Sequence, residues 1–309
     1  MKLLLSTLAA ASFALAQHDT TSPLTKPILV DSLSYLEQGL EDNLAQTAYT
    51  LSQWTNGQIP KDCFDIANNE GQAPTDYEVY EVTYSDCGDP WLFCYHKNSE
   101  VTIDSMARQF SQLPIQMRQW DRHIITIPST DGHAYNSNGN IVFFRPVDDM
   151  TNVFVHETGH SLDLLGAYGS QLSSSDNWWD NYNQDSNVPD PYAQTDALED
   201  VAQNTVVAVY NENVNGGYGG IEPKYENIFH QFATIITVAR DNGEGNSIIT
   251  PGENQQCSHR LTNSQPVNVD GSTPSRIRRD VADVSLKYAE PIVVSGDAPS
   301  TKDRCQLSW

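Results

Sequence analysis

The residues of this 309-residue chain that are best placed to do chemistry lie in the stretch His156-Glu157-Thr158-Gly159-His160. On an α-helix, positions i and i+4 share one face, with their Cβ atoms roughly 5–6 Å apart. Two imidazoles at this spacing can bind one metal ion, and Glu157 lies beside them facing the same cleft. Zinc peptidases use this order of side chains, with the glutamate as general base. The stretch therefore predicts His156 and His160 as Zn²⁺ ligands and Glu157 as a catalytic residue.

A helix must position these side chains, and the sequence around them predicts one. Apolar residues surround the stretch and favour a mostly buried helix of about three to four turns. They are Val153, Phe154, Val155, Leu162, Leu164 and Leu165. Asp148, Asp149 and Thr151 are the candidate N-cap residues. The structural alternative is a pair of core histidines that only form hydrogen bonds.

A catalytic zinc ion needs a third protein ligand and leaves one position for water. The layout with a histidine six residues after the second one fails, because Asp163 and Gly166 stand where it needs glycine and histidine. A downstream Gly-Thr-x-Asp signature is also missing from the sequence. The remaining layout uses a glutamate on a later helix, and Glu199 lies in a helix predicted from about residue 195 to 210. Asp163, Asp196 and Asp200 are the rival ligands.

Two segments together resemble a known family, the catalytic domain of anthrax toxin lethal factor, a zinc peptidase with a thermolysin-like core. The motif helix continues with Ser161-Leu162-Asp163, a small, an apolar and an acidic residue as in that family, and Tyr192 precedes Glu199 by the family's seven residues. The mature chain as a whole resembles conidiation-specific protein 13, a family of secreted fungal proteins assigned to the metallopeptidases.

The lethal-factor resemblance implies roles for particular residues. Glu199 becomes the third zinc ligand, and Tyr192 becomes a catalytic residue that donates a hydrogen bond to the developing oxyanion. Asp163 is interpreted as orienting a histidine. One position departs from the family pattern: Gln203 stands where the family has an acid that could orient a ligand histidine. Glutamine would do so more weakly.

The N-terminus and the charge of the chain indicate where it acts. Residues 1–16 read as a secretory signal peptide, with a lysine, an apolar run and small residues at −3 and −1. The mature chain has no apolar run long enough to span a bilayer. With 17 basic and 40 acidic residues, the formal net charge of −23 disfavours nucleic acid and anionic membranes as partners. We expect a secreted, extracellular monomer that acts on protein or peptide substrates.

Five cysteines are expected to be structural in an oxidising compartment. Cys87 and Cys94 flank a Gly-Asp-Pro turn, so a bridge across a hairpin is one prediction. Cys257 could then pair with Cys305 and leave Cys63 free, although sequence alone leaves the connectivity open.

The remaining patterns predict an α+β fold with one domain over residues 17–309. The predicted helices cover residues 33–51, 103–120 with a break at Pro114, 195–210, 228–239 and 276–288. The predicted strands cover residues 77–84, 91–95, 124–127 and 141–144. Residues 64–76 are interpreted as irregular, and residues 169–191 as a long surface loop whose aromatic residues either grip substrate or anchor the loop. Strand 141–144 is expected to pair with an extended substrate.

The lethal-factor resemblance implies that this α+β domain is a zincin of the thermolysin and lethal-factor type, with a small mixed sheet packed on helices. The expected activity is that of a Zn²⁺-dependent endopeptidase. The alternative is a catalytically inactive secreted zinc-binding protein that acts as a binding or surface factor. Gln203 and the long acidic loop motivate it.

Overall fold

The computed structural model describes residues 18–240, 247–252 and 255–274, together with the backbone of residues 305–308. Within them the chain forms a mixed sheet covered by helices, which confirms the α+β class. The strands are β1 (Tyr49–Gln53), β2 (Gln58–Pro60), β3 (Tyr77–Tyr84), β4 (Trp91–His96), β5 (His123–Ile127), β6 (His133–Ser137), β7 (Asn140–Phe144), β8 (Pro266–Asn268) and β9 (Cys305–Ser308). The predicted signal peptide and the predicted helix 276–288 lie outside the described residues.

Eight α-helices accompany these strands in the described part of the chain. They are α1 (Glu37–Asn43), α2 (Lys61–Asn69), α3 (Ile103–Ser111), α4 (Ile115–Arg118), α5 (Thr151–Leu164), α6 (Asp176–Gln184), α7 (Ala197–Asn213) and α8 (Phe229–Arg240). Short 3₁₀ turns precede α1 and α8. Among these described helices, none combines the length and the apolar character that crossing a membrane requires.

The main sheet has the order β1-β3-β4-β5-β7-β6-β9 among the described strands. The central strands β4, β5 and β7 run parallel, and the outer pairs are antiparallel. Strand β7 is bonded to β5 on one edge and to β6 on the other. The prediction that residues 141–144 pair with a substrate backbone is therefore wrong, because both edges of this strand are occupied.

The sheet is buried on both faces, and alternate residues of one strand serve different cores. Ile124 packs in a large core with α3, α5, α7 and α8, whereas its neighbour Ile125 packs in a smaller core with α2. The same alternation separates Phe93 from Cys94. This period of two is what a strand between two layers requires. The large core positions the helix that carries the predicted metal ligands.

Several sequence predictions of secondary structure are confirmed. Strands β3 and β4 form the expected antiparallel hairpin, and β5 and β7 lie where strands were predicted. Pro114 separates α3 from α4, because proline lacks the amide that would continue the helix. Helices α5, α7 and α8 also match their predictions to within a few residues.

Four stretches differ from the prediction. The predicted helix over residues 33–51 ends at Asn43, and β1 follows, paired with β3. Residues 64–76 contain most of α2, and β6 forms before β7 in a stretch for which no strand was predicted. Residues 169–191 contain α6, in which Trp178 is fully buried, so this tryptophan anchors the segment.

The disulfides differ from the predicted pairing. The described bridges join Cys63 to Cys94 and Cys87 to Cys257. Cys94 faces the smaller core beside α2, whereas Cys87 faces the larger core. A bridge between Cys87 and Cys94 would have to pass through the sheet, and for this reason the hairpin prediction is wrong. The side chain of Cys305 lies outside the described residues.

One buried histidine outside the predicted site makes stability depend on pH. His123 is fully buried on β5. Its Nδ1 lies 2.8 Å from Asn140 Oδ1, and its Nε2 lies 3.3 Å from the amide nitrogen of Ser264. Because that amide donates, Nε2 must accept and Nδ1 carries the proton of the neutral ring. Burial, assisted by the Arg260 and Arg122 charges, lowers the pKa of His123 to about 3, although Asn140 opposes the shift.

This arrangement predicts acid destabilisation through His123. In the unfolded chain, His123 becomes protonated near pH 6.5. The contribution of neutral His123 to the free energy of unfolding is therefore complete above that pH and is lost as the pH falls toward 3. Between pH 6.5 and 4.5, the free energy of unfolding of the wild type should fall by on the order of 2 kcal/mol more than that of His123→Gln. Urea denaturation at both pH values measures this difference. Equal pH dependence in the two proteins would contradict it.

Candidate metal centre

Helix α5 carries the motif and begins with a cap from a distant segment. The carboxylate of Glu37 accepts hydrogen bonds from the amides of Thr151 and Asn152, each at 2.7 Å. An anionic group at a helix N-terminus satisfies free amides and interacts favourably with the helix dipole. The predicted cap residues are wrong, since Met150 holds the N-cap position without a side-chain bond. Nothing local in the sequence indicates Glu37.

Helix α7 brings the third predicted ligand to the motif. It packs closely on α5 at Gly159, where an added Cβ would lie 3.2 Å from Ala202 Cα and from Thr205 Cβ. Such a contact leaves no room for a larger residue without movement of one helix. The side chain of Asp196 caps α7 by accepting from the amides of Leu198 and Glu199. The first turn of α7 is thereby fixed opposite the motif.

Three ligand atoms meet between the two helices. His156 Nε2 lies 3.1 Å from His160 Nε2, and Glu199 Oε2 lies 3.1 Å from the first and 3.5 Å from the second. A tetrahedral zinc ion with bonds of about 2.0–2.2 Å separates its ligand atoms by about 3.3–3.6 Å. Two imidazole nitrogens and one carboxylate oxygen are also a donor set that Zn²⁺ prefers. The three side chains therefore fit a zinc ion.

The charges of these groups are strongly coupled because water is excluded. Burial lowers the pKa of His156, but Glu199 more than offsets this and raises it to about 9. Burial raises the pKa of Glu199, and the two histidines overcome that effect and hold it below its ordinary value. Burial lowers the pKa of His160. A carboxylate between two imidazoles thus stays ionised, as a metal ligand must.

Glu157 lies beside the two histidines, and its carboxylate forms no hydrogen bond among the described residues. One carboxylate oxygen of Glu157 and one ring nitrogen of each of His156 and His160 lie within 4.8 Å of one another. Glu157 is fully buried. Burial raises the pKa of Glu157 well above its ordinary value. An unbonded carboxylate beside three converging ligand atoms is suited to accept a proton from a water molecule.

The rival ligands are engaged elsewhere. Asp163 accepts a hydrogen bond from the amide of Ser173, and no hydrogen bond in the described structure joins it to a motif histidine. Asp196 serves as the N-cap of α7. Asp200 accepts from the side chain of Asn204 within α7. These bonds leave Glu199 as the acidic side chain that contacts both histidines.

Tyr192 is the remaining residue that was predicted for the site. It is partly buried in the turn before α7, and it lines a cleft of about 480 Å³ together with Asp190, Gln203 and Met150. Its backbone amide donates to Asp190 Oδ1 at 3.0 Å. Gln203 connects this cleft to the ligand group, because Gln203 Oε1 lies 3.0 Å from His156 Nδ1. The structure therefore places Tyr192 on a cleft that Gln203 links to the predicted ligands.

Two polar residues that the sequence analysis missed fix α5 from the sheet side. Asn136 on β6 donates to the carbonyl of Glu157 and to Ser161 Oγ, both at 2.8 Å. Asp121 accepts from the hydroxyls of Thr158 and Ser161 at 2.8 and 2.7 Å. Burial raises the pKa of Asp121 to about 7, although both hydroxyls oppose the shift. Neither residue lies at a recognisable spacing from the motif.

Comparison with known proteins gives the family. Residues 30–237 match the sequence profile described as conidiation-specific protein Con-13. Conidiation-specific protein 13 of Neurospora crassa is 37% identical over 180 residues, which cover 57% of this chain and 53% of that relative. The chain thus spans about half the length of this curated relative. No solved structure matches the chain. The profile covers most of the chain, including α5 and α7, and the chain belongs to the Con-13 family.

Proposed function

We propose that this protein is a Zn²⁺-dependent endopeptidase with His156, His160 and Glu199 as metal ligands. The observation that carries the proposal is the convergence of these three ligand atoms within 3.1–3.5 Å beside the unbonded carboxylate of Glu157. Three protein ligands leave a fourth position, which is the arrangement of catalytic rather than structural zinc. Two histidines that merely form hydrogen bonds in a core would not need a buried glutamate without partners.

The residues divide the chemistry between them. When bound, Zn²⁺ supplies a Lewis acid that polarises a carbonyl and lowers the pKa of a water molecule. Glu157 accepts the proton of the attacking water and passes it to the leaving amine. Tyr192, on the adjoining cleft, donates a hydrogen bond to the oxygen that becomes negative. The cleft of about 480 Å³ receives part of the peptide substrate.

The proposal includes a zincin fold and secretion. A mixed sheet packed on a motif helix, with a second helix that supplies a glutamate, is compatible with the lethal-factor arrangement. Two disulfides are compatible with an oxidising compartment outside the cytosol. We expect a monomer whose substrates are proteins or peptides.

Burial supports a second candidate, a secreted zinc-binding protein without catalysis. The side chains of His156, Glu157, His160 and Glu199 are 0–4% exposed. A binding protein needs no route from solvent to such a group, whereas an endopeptidase must admit a peptide from the cleft.

Native mass spectrometry and peptide cleavage distinguish the two candidates. The purified protein is expected to bind one zinc ion and to cleave casein or a peptide library, with activity lost to a chelator and restored by Zn²⁺. One bound zinc ion without any cleavage would support the binding protein. The absence of bound zinc would reject both candidates.

A further inference from the structure

A chain of buried hydrogen bonds leads from the metal centre to Asp190. His156 Nδ1 lies 3.0 Å from Gln203 Oε1, and Gln203 Nε2 donates to Asp190 Oδ2 at 2.6 Å. The other carboxylate oxygen of Asp190 accepts from the amides of Tyr192 and Ala193 at 3.0 and 3.1 Å. Asp190 is only 1% exposed and Gln203 only 3% exposed, so water does not compete for these bonds.

The direction of each bond follows from Asp190. An ionised carboxylate accepts hydrogen bonds and cannot donate, so the NH₂ group of Gln203 must face Asp190. The carbonyl oxygen of Gln203 then faces His156, which must donate from Nδ1. This leaves Nε2 as the nitrogen that can bind a metal, and His156 Nε2 is the atom that lies close to His160 and Glu199.

We propose that Asp190 is a positioning residue for the metal ligand His156 and acts on it through Gln203. This inference rests on the metal-binding part of the proposed function. Gln203 stands where a related sequence pattern has an acid, and Asp190 supplies the missing negative charge one side chain farther away. The same carboxylate holds the backbone of Tyr192, so it fixes two parts of the site at once.

Asp190→Asn tests the proposal because it should reverse the direction of the hydrogen bonds that join Asp190, Gln203 and His156. The backbone amides of Tyr192 and Ala193 require an oxygen, so the introduced carboxamide would turn its NH₂ group toward Gln203. Gln203 would then present its own NH₂ group to His156 and favour a proton on Nε2, the nitrogen that must bind zinc. We expect zinc affinity to fall about 10–100-fold, as for loss of an outer hydrogen-bond partner of a zinc histidine.

A second substitution should rescue the first. In the double variant Asp190→Asn/Gln203→Glu, the new carboxylate accepts from the introduced carboxamide and from His156 Nδ1, which restores the original direction. Zinc affinity should return to near the wild-type value. Asp200→Asn is the matched control, because it makes the same change to another buried aspartate whose carboxylate bonds Asn204 instead. Its zinc affinity per folded molecule should be unchanged.

The measurements are zinc competition with a chromophoric chelator and NMR of the His156 Nδ1–H proton in the zinc-loaded protein. This proton should be protected from exchange in the wild type and the double variant. In zinc-loaded Asp190→Asn it should exchange much faster, because zinc binding through Nε2 keeps the proton on Nδ1 but Gln203 no longer accepts a hydrogen bond from it. Wild-type affinity in Asp190→Asn, or no recovery in the double variant, would overturn the proposal. A wild type that binds zinc without cleaving peptides would reject only the peptidase. A wild-type protein that binds no zinc would reject both the peptidase activity and the positioning role of Asp190.

Discussion

Glu157→Gln is expected to bind one zinc ion with unchanged affinity and to lose peptide hydrolysis. The carboxylate of Glu157 has no hydrogen-bond partner among the described residues, so its replacement by an amide of the same shape removes no bond that holds the ligands. The substitution does remove a group that lies against the ligand atoms and can take a proton from water without being a ligand itself. General base catalysis contributes typically about 10²–10⁴-fold, and kcat should fall by at least this factor.

Glu226→Gln is the matched control, because it makes the same chemical change at an exposed position in the 3₁₀ turn before α8. Its kcat and its zinc content should equal those of the wild type. Zinc stoichiometry and single-peptide kinetics on the three proteins measure the effect. A Glu157→Gln protein with full turnover would remove Glu157 as the base. If Glu157→Gln had lost its zinc, Glu157 would instead be a metal ligand.

The motif helix could be predicted because its signal is local. His156 and His160 are four residues apart, and helical geometry alone places them on one face. The prediction for Glu199 was less direct, since it came from a resemblance. It also required α7 to lie against α5. Gly159 permits that packing, because an added Cβ would lie only 3.2 Å from the α7 backbone at Ala202.

The groups that support the site could not be predicted, because they reach it from distant parts of the chain. Glu37 caps α5 from a segment more than a hundred residues away, and Asn136 binds the same helix from β6. Asp190 acts through Gln203, which the sequence presented as a departure from the family pattern. Such contacts depend on the tertiary fold and leave no periodic pattern in the sequence.

The errors in secondary structure have specific physical causes. Leu33, Leu36, Leu40 and Leu44 are all buried, so the helical spacing correctly marked one apolar stripe. The same spacing was extended to Leu51, although residues 49–53 pair with β3 as a strand. Residues 64–76 were interpreted as irregular, but most of α2 lies there, and Pro60 occupies its N-cap position. Proline is tolerated at the start of a helix because the first amides have no helical partner.

Glu199→Gln is expected to reduce zinc affinity by more than about 100-fold, beyond the effect of losing an outer hydrogen-bond partner of a ligand. Glu199 Oε2 lies within 3.5 Å of both ligand nitrogens, and its negative charge would partly neutralise the metal ion in a buried site. The neutral amide keeps the shape of the side chain but provides a far weaker ligand oxygen. Glu212→Gln, near the far end of α7, is the matched control.

Two measurements separate the loss of a ligand from a loss of folding. Zinc competition gives the affinity directly, and thermal unfolding with and without Zn²⁺ gives the stabilisation that binding adds. A ligand present at about 100 times its Kd stabilises the folded state by about 2.7 kcal/mol, so a roughly 100-fold weaker Kd removes most of this stabilisation. Glu212→Gln should keep it. If Glu199→Gln bound zinc as tightly as the wild type, two histidines would have to hold the ion with another acid, and the two-helix site would be wrong.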